Sequence, residues 1–189
     1  MKAAWLGRLL RGVHAGDAKL AWFSPALQGV PETLRLTSSA FVPEGPIPRM
    51  YAGRGVGENI SPPLEWSPPP PEAVELILVV EDPDAPLPRP FVHLFAYGIS
   101  ADRRSFGAGE LSNGASEVLF GRNTGRGTGY AGPRALPAHG PHRYYFELFA
   151  LSRPSGLPPG VSLGAALRSV APFVVARGCL VGIFERGNG

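Results

Sequence analysis

The chain has few of the features that would settle a function on their own. There is one cysteine, Cys179, in 189 residues, which excludes an intramolecular disulfide and any zinc site built from several thiolates. The net charge is only +3, from 18 Lys and Arg against 15 Asp and Glu. No clustered basic stripe accompanies it, so nucleic acid is set aside as a partner. No apolar run approaches the roughly 20 residues needed to cross a bilayer, so no transmembrane segment is expected. Neither a Gly-x-Ser-x-Gly elbow nor a Walker phosphate loop is present, and no repeat recurs at a period of about 20 to 50 residues. The amino terminus opens with Lys2 and apolar residues, but Arg8 and Arg11 interrupt it and no small-x-small cleavage site follows. With a single thiol that suits a reducing compartment, the expected location is cytoplasmic.

Glycine (25) and proline (22), by contrast, are plentiful and are spread between strand-like apolar runs. They read as turns in a loop-rich fold and speak against a helix bundle. Apolar residues make up 44% of the chain, enough for a core of its own. Trp5, Leu6, Leu9, Leu10 and Val13 recur at helical spacing, giving a short helix with one apolar face. That face is expected to pack on its own domain or on a partner subunit; the sharper alternative is a basic amphipathic helix on an anionic membrane. Residues 1–22 are taken as a helical extension and residues 23–189 as a β domain.

Residues 33–38 alternate as a strand. Residues 74–80 (VELILVV) are nearly all apolar, the mark of a strand buried on both faces. Residues 82–90 (DPDAPLPRP) form neither helix nor interior strand, because proline lacks the ladder N–H. Residues 91–99 and 144–151 read as further core strands, and 117–120 as a short one. Ser162 is a candidate N-cap for a helix over 163–176 that Pro172 should end or kink, and 179–186 read as the last strand. The fold class is therefore mainly β. The strands lie too close in sequence for crossover helices, so they should form an antiparallel sandwich or barrel-like arrangement with one late helix.

Three segments carry polar residues suited to a site. In Asp82-Pro83-Asp84 the two carboxylates point different ways, so one can face a cavity while the other ties down the loop. The plainer reading is a turn whose Asp side chains accept backbone N–H bonds. The segment lacks the ligands of a calcium loop, and no metal is expected. Alternation puts Phe91, His93 and Phe95 on one strand face, a row that can line a pocket, although a lone His in an apolar strand is more often a satisfied core residue. In His142-Arg143-Tyr144, His142 and Tyr144 share a face and Arg143 takes the other. Arg143 cannot lose its charge; if buried it needs a carboxylate such as Asp84 or Glu147. Two imidazoles and a phenol are donors toward an oxyanion, and Asp82 can fix a His tautomer. Glycines such as Gly129 and Gly132 let backbone N–H groups approach a phosphate. The pieces suit a small anion, phosphate or a phosphate ester.

Together these segments resemble the phosphatidylethanolamine-binding protein family, which includes the Raf kinase inhibitor proteins, and look closest to its bacterial and archaeal branch. The resemblance rests on GENISPPLEW (57–66), VEDPDAP (80–86), FVH (91–93), GYAGP (129–133), GPHRY (140–144) and LVGIFER (180–186), in the family's order over residues 33–186. It implies a large central β-sheet packed on a smaller one, with an anion cavity at one end that accepts phosphate-like groups, including a phosphoethanolamine head group. Carried over by motif, the walls are Asp82, His93, His142 and Tyr144, with the Gly132 loop beside them; Asp84 and Arg143 give structural support. Phe91 stands where many animal members have Trp. Arg134, in a segment that departs from the bacterial pattern, adds positive charge at the mouth.

The function expected is non-enzymatic binding of a small phosphate-like anion, without a cofactor or catalytic residue. A phospholipid head group or a phosphorylated protein segment is within that class. Two alternatives stand beside it: a phosphate-dependent docking inhibitor of a kinase or protease, and a weak hydrolase using an Asp/His base. The amphipathic amino-terminal helix leaves room for a homodimer.

Overall fold

A computed structural model describes residues 2–112 and 117–187. In chain order the regular elements are helix α1 (Lys2–Leu9) and strands β1 (Leu36–Thr37), β2 (Leu64–Trp66), β3 (Glu75–Asp82), β4 (Phe91–Ser100), β5 (Ser105–Phe106), β6 (Leu119–Phe120) and β7 (His142–Leu151). Helix α2 (Leu163–Val170) and strand β8 (Val174–Phe184) complete them. The fold is mainly β. A five-stranded sheet in the order β6-β4-β3-β7-β8 packs on a three-stranded sheet in the order β1-β2-β5, and every strand pair is antiparallel.

The central strand β3 explains why residues 74–80 show no alternation: all eight of its residues are buried. Leu76, Leu78 and Val80 face the small sheet, where Leu36, Leu64, Trp66 and Phe106 close the core. Ile77 and Val79 face the other way, onto α2 and the 21–27 segment. Burying such a strand on both faces stabilises by about 1.5–3 kcal/mol per large side chain. Ser162 caps α2, accepting from the Ala165 N–H. The helix is shorter than the expected 163–176. Pro172 converts its end to a 3-10 turn over Ala171–Phe173, and the last strand starts at Val174 rather than Cys179.

Two corrections concern the edges of the site. The expected row of Phe91, His93 and Phe95 does not form. Val80 pairs with Leu94 but Glu81 pairs with Val92, so β4 bulges by one residue at His93. The extra residue reverses the alternation: Phe95 joins the core under α2, while Phe91 and His93 turn to the opposite face. The second concerns α1. Its large apolar side chains do not pack on the domain. The helix touches the rest of the chain through Gly7, where an added Cβ would meet the Pro137 carbonyl oxygen at 2.0 Å; Trp5, Leu6, Leu9 and Val13 face outward.

From Ala15 onward the amino-terminal segment is fastened to the β3–β4 loop. The Ala15 and Gly16 N–H groups donate to the carbonyls of Ala85 and Pro83 (both 3.0 Å), and the Ala21 N–H donates to the buried Glu81 carboxylate at 2.7 Å.

Candidate functional site

The end of β3, the bulge of β4, the start of β7 and the glycine-rich loop before it converge on a cavity of about 510 Å³. That is within the usual range for small-molecule sites, roughly 300–1,000 Å³. Asp82, His93, His142 and Gly132 line it, with Arg134 exposed at the mouth. A hollow of similar size beside Ile47 and Phe184 has Arg49, Glu185 and Arg186 as its only ionisable groups, none of them buried.

Asp82 organises the polar wall with both its oxygens. Oδ1 accepts the N–H groups of Asp84 (2.8 Å) and Ala85 (3.0 Å), closing the proline-rich turn. Oδ2 accepts from His142 Nδ1–H at 2.8 Å and lies 3.9 Å from His93 Nε2. The turn-forming role and the site role thus belong to one carboxylate. Burial alone would raise its pKa, but the hydrogen bonds and charges of His142 and His93 outweigh it and hold the group at about 2.

His142 passes the hydrogen bonding on: its Nε2 is 2.9 Å from His139 Nδ1. One proton must lie between them, so either His139 donates to a neutral His142, or His142 is an imidazolium facing Asp82 and donates to His139. Burial, then the neighbouring charge of His142, lowers the pKa of His139, while the Leu10 carbonyl opposes the shift. The sequence reading missed His139. Its signal was its position three residues before His142 across a Gly-Pro turn. His14 stands edge-on to it, with ring centroids 5.4 Å apart, and donates from Nδ1 to the Asp84 carbonyl at 3.2 Å. All four histidines of the chain therefore meet at this end of the fold.

His93 Nδ1 makes a short hydrogen bond to the Ala131 carbonyl. A carbonyl only accepts, so Nδ1 carries the hydrogen, and Nε2 is buried with no partner. Phe91 packs on this ring at 4.6 Å between centroids, and Leu87 and Leu136 extend the apolar wall.

Tyr144 and two glycines depart from what the sequence suggested, and Arg143 gains Asp17 as a second carboxylate besides the expected Asp84. Tyr144 is fully buried beneath His93, with ring centroids 5.0 Å apart and its hydroxyl unpartnered; it does not line the cavity. Burial, then the charge of Asp82, keeps the phenol protonated far above its ordinary range. Gly132 does line the cavity, but its N–H is not free for a phosphate, because it donates to Asn59 Oδ1 at 2.9 Å. The residue must be glycine for another reason: a Cβ there would meet the Tyr51 carbonyl oxygen at 2.3 Å. Gly129 is not among the lining residues. Arg143 is clamped between two carboxylates. Its Nε and Nη2 donate to Asp84 (2.9 and 2.8 Å), and Nη1 and Nη2 donate to Asp17 (both 2.8 Å). This cross-link fastens the amino-terminal segment to the site's frame.

A mainly β frame of two sheets with a buried Asp/His cavity at one end is the architecture of a ligand-binding or regulatory protein. The profile of the phosphatidylethanolamine-binding protein family matches residues 37–185, and the chain belongs to that family. A UPF0098 protein of Methanothermobacter thermautotrophicus is 36% identical over 159 residues, covering 82% of this chain and all of the relative. A Mycobacterium tuberculosis protein named as a proposed lipoprotein, LppC, is 36% identical over 154 residues, covering 82% of this chain and 73% of the relative. A solved structure of a proposed phosphatidylethanolamine-binding protein homologue of Chlamydia trachomatis superposes with a TM-score of 0.73 at 33% identity. It covers 81% of this chain and 97% of the other. Among the described residues no helix is long and apolar enough to cross a membrane.

Proposed function

We propose that this chain is a non-enzymatic binding protein whose cavity takes a small phosphate-like anion with an organic substituent, such as a phosphoethanolamine head group. The observation that carries the reading is His93 Nε2, buried on the cavity wall without a partner. With Nδ1 already carrying a hydrogen, Nε2 donates only in the charged ring, and that second proton needs an acceptor. Asp82 is 3.9 Å away and already accepts three N–H groups, so an incoming anion oxygen supplies it. His142 offers a second donor once its Nε2 turns from His139 to the ligand. Arg134 adds long-range attraction at the mouth. Phe91, Leu87 and Leu136 give the substituent an apolar wall, which favours an ester over bare phosphate.

Binding is favoured over turnover because the described residues lining the cavity include no hydroxyl or thiol nucleophile. The reading carries with it a cytoplasmic site of action, and cell fractionation is its check, given a relative named for lipidation.

The test is calorimetric titration of phosphoethanolamine and of inorganic phosphate into the wild type and His93→Asn. Asparagine keeps a donor for the Ala131 carbonyl and removes the cavity-facing nitrogen. Saturable binding of phosphoethanolamine is expected, weaker by about tenfold in the variant, since a charge-assisted hydrogen bond is worth about 1.5–3 kcal/mol. Equal affinities in both proteins, or no saturable binding by the wild type, defeat the proposal.

A further inference from the structure

We propose that α1 is a docking element that lays its outward apolar row on an anionic lipid surface. The geometry begins at Gly7. Its contact with the Pro137 carbonyl admits no side chain, and it fixes the rotation of the helix on the domain. With Gly7 inward, Trp5 (66% exposed) and Leu9 (64% exposed) stand outward one turn apart, with Leu6 beside them and Val13 continuing the row. This is an apolar stripe on a helix that leaves its own core untouched.

Charge identifies the occupant. The first sixteen residues contain Lys2, Arg8 and Arg11 and no Asp or Glu, and Arg8 and Arg11 are exposed. Lys19 donates to the Pro88 carbonyl at 2.8 Å, which brings it beside the exposed Leu87 and Arg89 of the β3–β4 loop. The nearby carboxylates are fewer than the cations: Asp17 and Asp84 share the one charge of Arg143, and Asp82 is buried against His142, set against Arg8, Arg11, Lys19 and Arg89. The excess charge at this end is therefore positive. A second copy of the chain would bring arginines against arginines, whereas an anionic bilayer offers both complements: phosphates for the cations and an interface for Trp5 and Leu9. An eight-residue helix inserts little area, so the attachment is reversible.

The experiment uses the full chain with two vesicle types, pure phosphatidylcholine and phosphatidylcholine containing phosphatidylserine. Flotation is expected only with the anionic vesicles and is weakened by salt, which screens charge beyond about 10 Å at 0.1 M. Trp5→Ser with Leu9→Ser changes exposed positions only and should lower partitioning by at least about tenfold. Arg8→Gln and Arg11→Gln should lower it by about fivefold each. His93→Asn should float like the wild type, and the Trp5/Leu9 double variant should bind phosphoethanolamine in solution unchanged, which separates this inference from the cavity reading. No flotation by the wild type, or equal flotation of the double variant, overturns it. So does loss of flotation in His93→Asn alone, which would give the contact to the cavity. A dimer that the Trp5/Leu9 variant dissociates also overturns it, by assigning the row to a second copy.

Discussion

Asp82→Asn is the substitution whose effect can be worked most fully from the geometry. Asparagine has nearly the same shape, so its oxygen can still accept from the Asp84 and Ala85 N–H groups that close the turn. Its amide then faces His142 Nδ1, where the carboxylate accepted a hydrogen at 2.8 Å, and His142 must shift its proton to Nε2 to avoid a donor–donor contact. Two routes give the cost. The native carboxyl falls from 3.8 to about 2, which at about 1.4 kcal/mol per unit is about 2 kcal/mol. Losing a hydrogen bond to a charged group costs about 1.5–3 kcal/mol. The expected destabilisation at neutral pH is thus about 2 kcal/mol. Its pH dependence has a definite sign. The folded value lies below the unfolded one, so the contribution is complete above 3.8 and is lost as pH falls toward about 2. Urea unfolding of both proteins in a pH series reads the difference directly. A gap that does not narrow below pH 3.8, or one under about 0.5 kcal/mol at neutral pH, would refute the assignment of Asp82 as the paired anion of the site.

Other perturbations follow from the same geometry. Burial pushes the Glu81 carboxyl from 4.5 up to about 7, against the pull of the Ala21 N–H. Stability tied to it is complete below 4.5 and is lost as pH rises through about 7, by up to about 3 kcal/mol. Glu81→Gln should flatten that decline in thermal unfolding between about pH 5 and about pH 8, and a parallel decline in wild type and variant would contradict it. Gly132→Ala should cost about 1–3 kcal/mol by overpacking and should weaken phosphoethanolamine binding by displacing the loop; unchanged stability and affinity would show that the loop gives way freely. Arg143→Ala leaves Asp17 and Asp84 without their shared partner and should cost about 1–2 kcal/mol. It should also raise proteolysis near residues 10–20, and an unaltered digest would remove its role as a cross-link.

Much of the frame was readable because local chemistry and burial agree. The run at 74–80 announces a two-faced core strand, the proline-rich 82–90 announces a break, and Ser162 and Pro172 bracket a helix. The short strands at Leu64–Trp66 and Ser105–Phe106 were not readable, because two or three residues become a strand only by pairing with each other and with β1. The choice of Asp82, His93 and His142 came from motif resemblance together with alternation. Alternation then failed at Phe95, because the bulge is a register choice made between strands and leaves no mark in β4 itself. His139 was missed for a similar reason: only the fold of the loop brings it onto His142. The outward turn of Trp5 and Leu9 depends on a glycine contact with residues 130 positions away in the chain, which no helical periodicity can report.

Because His14, His93, His139 and His142 are the only imidazoles in the chain and lie together, a spectrum of imidazole nitrogens observes one locality without background. The resonances of the four rings sense different layers, from His14 beside the Asp84 carbonyl to His93 and His142 on the cavity wall. Watching the order in which they move as an anion is added would trace the route by which it enters.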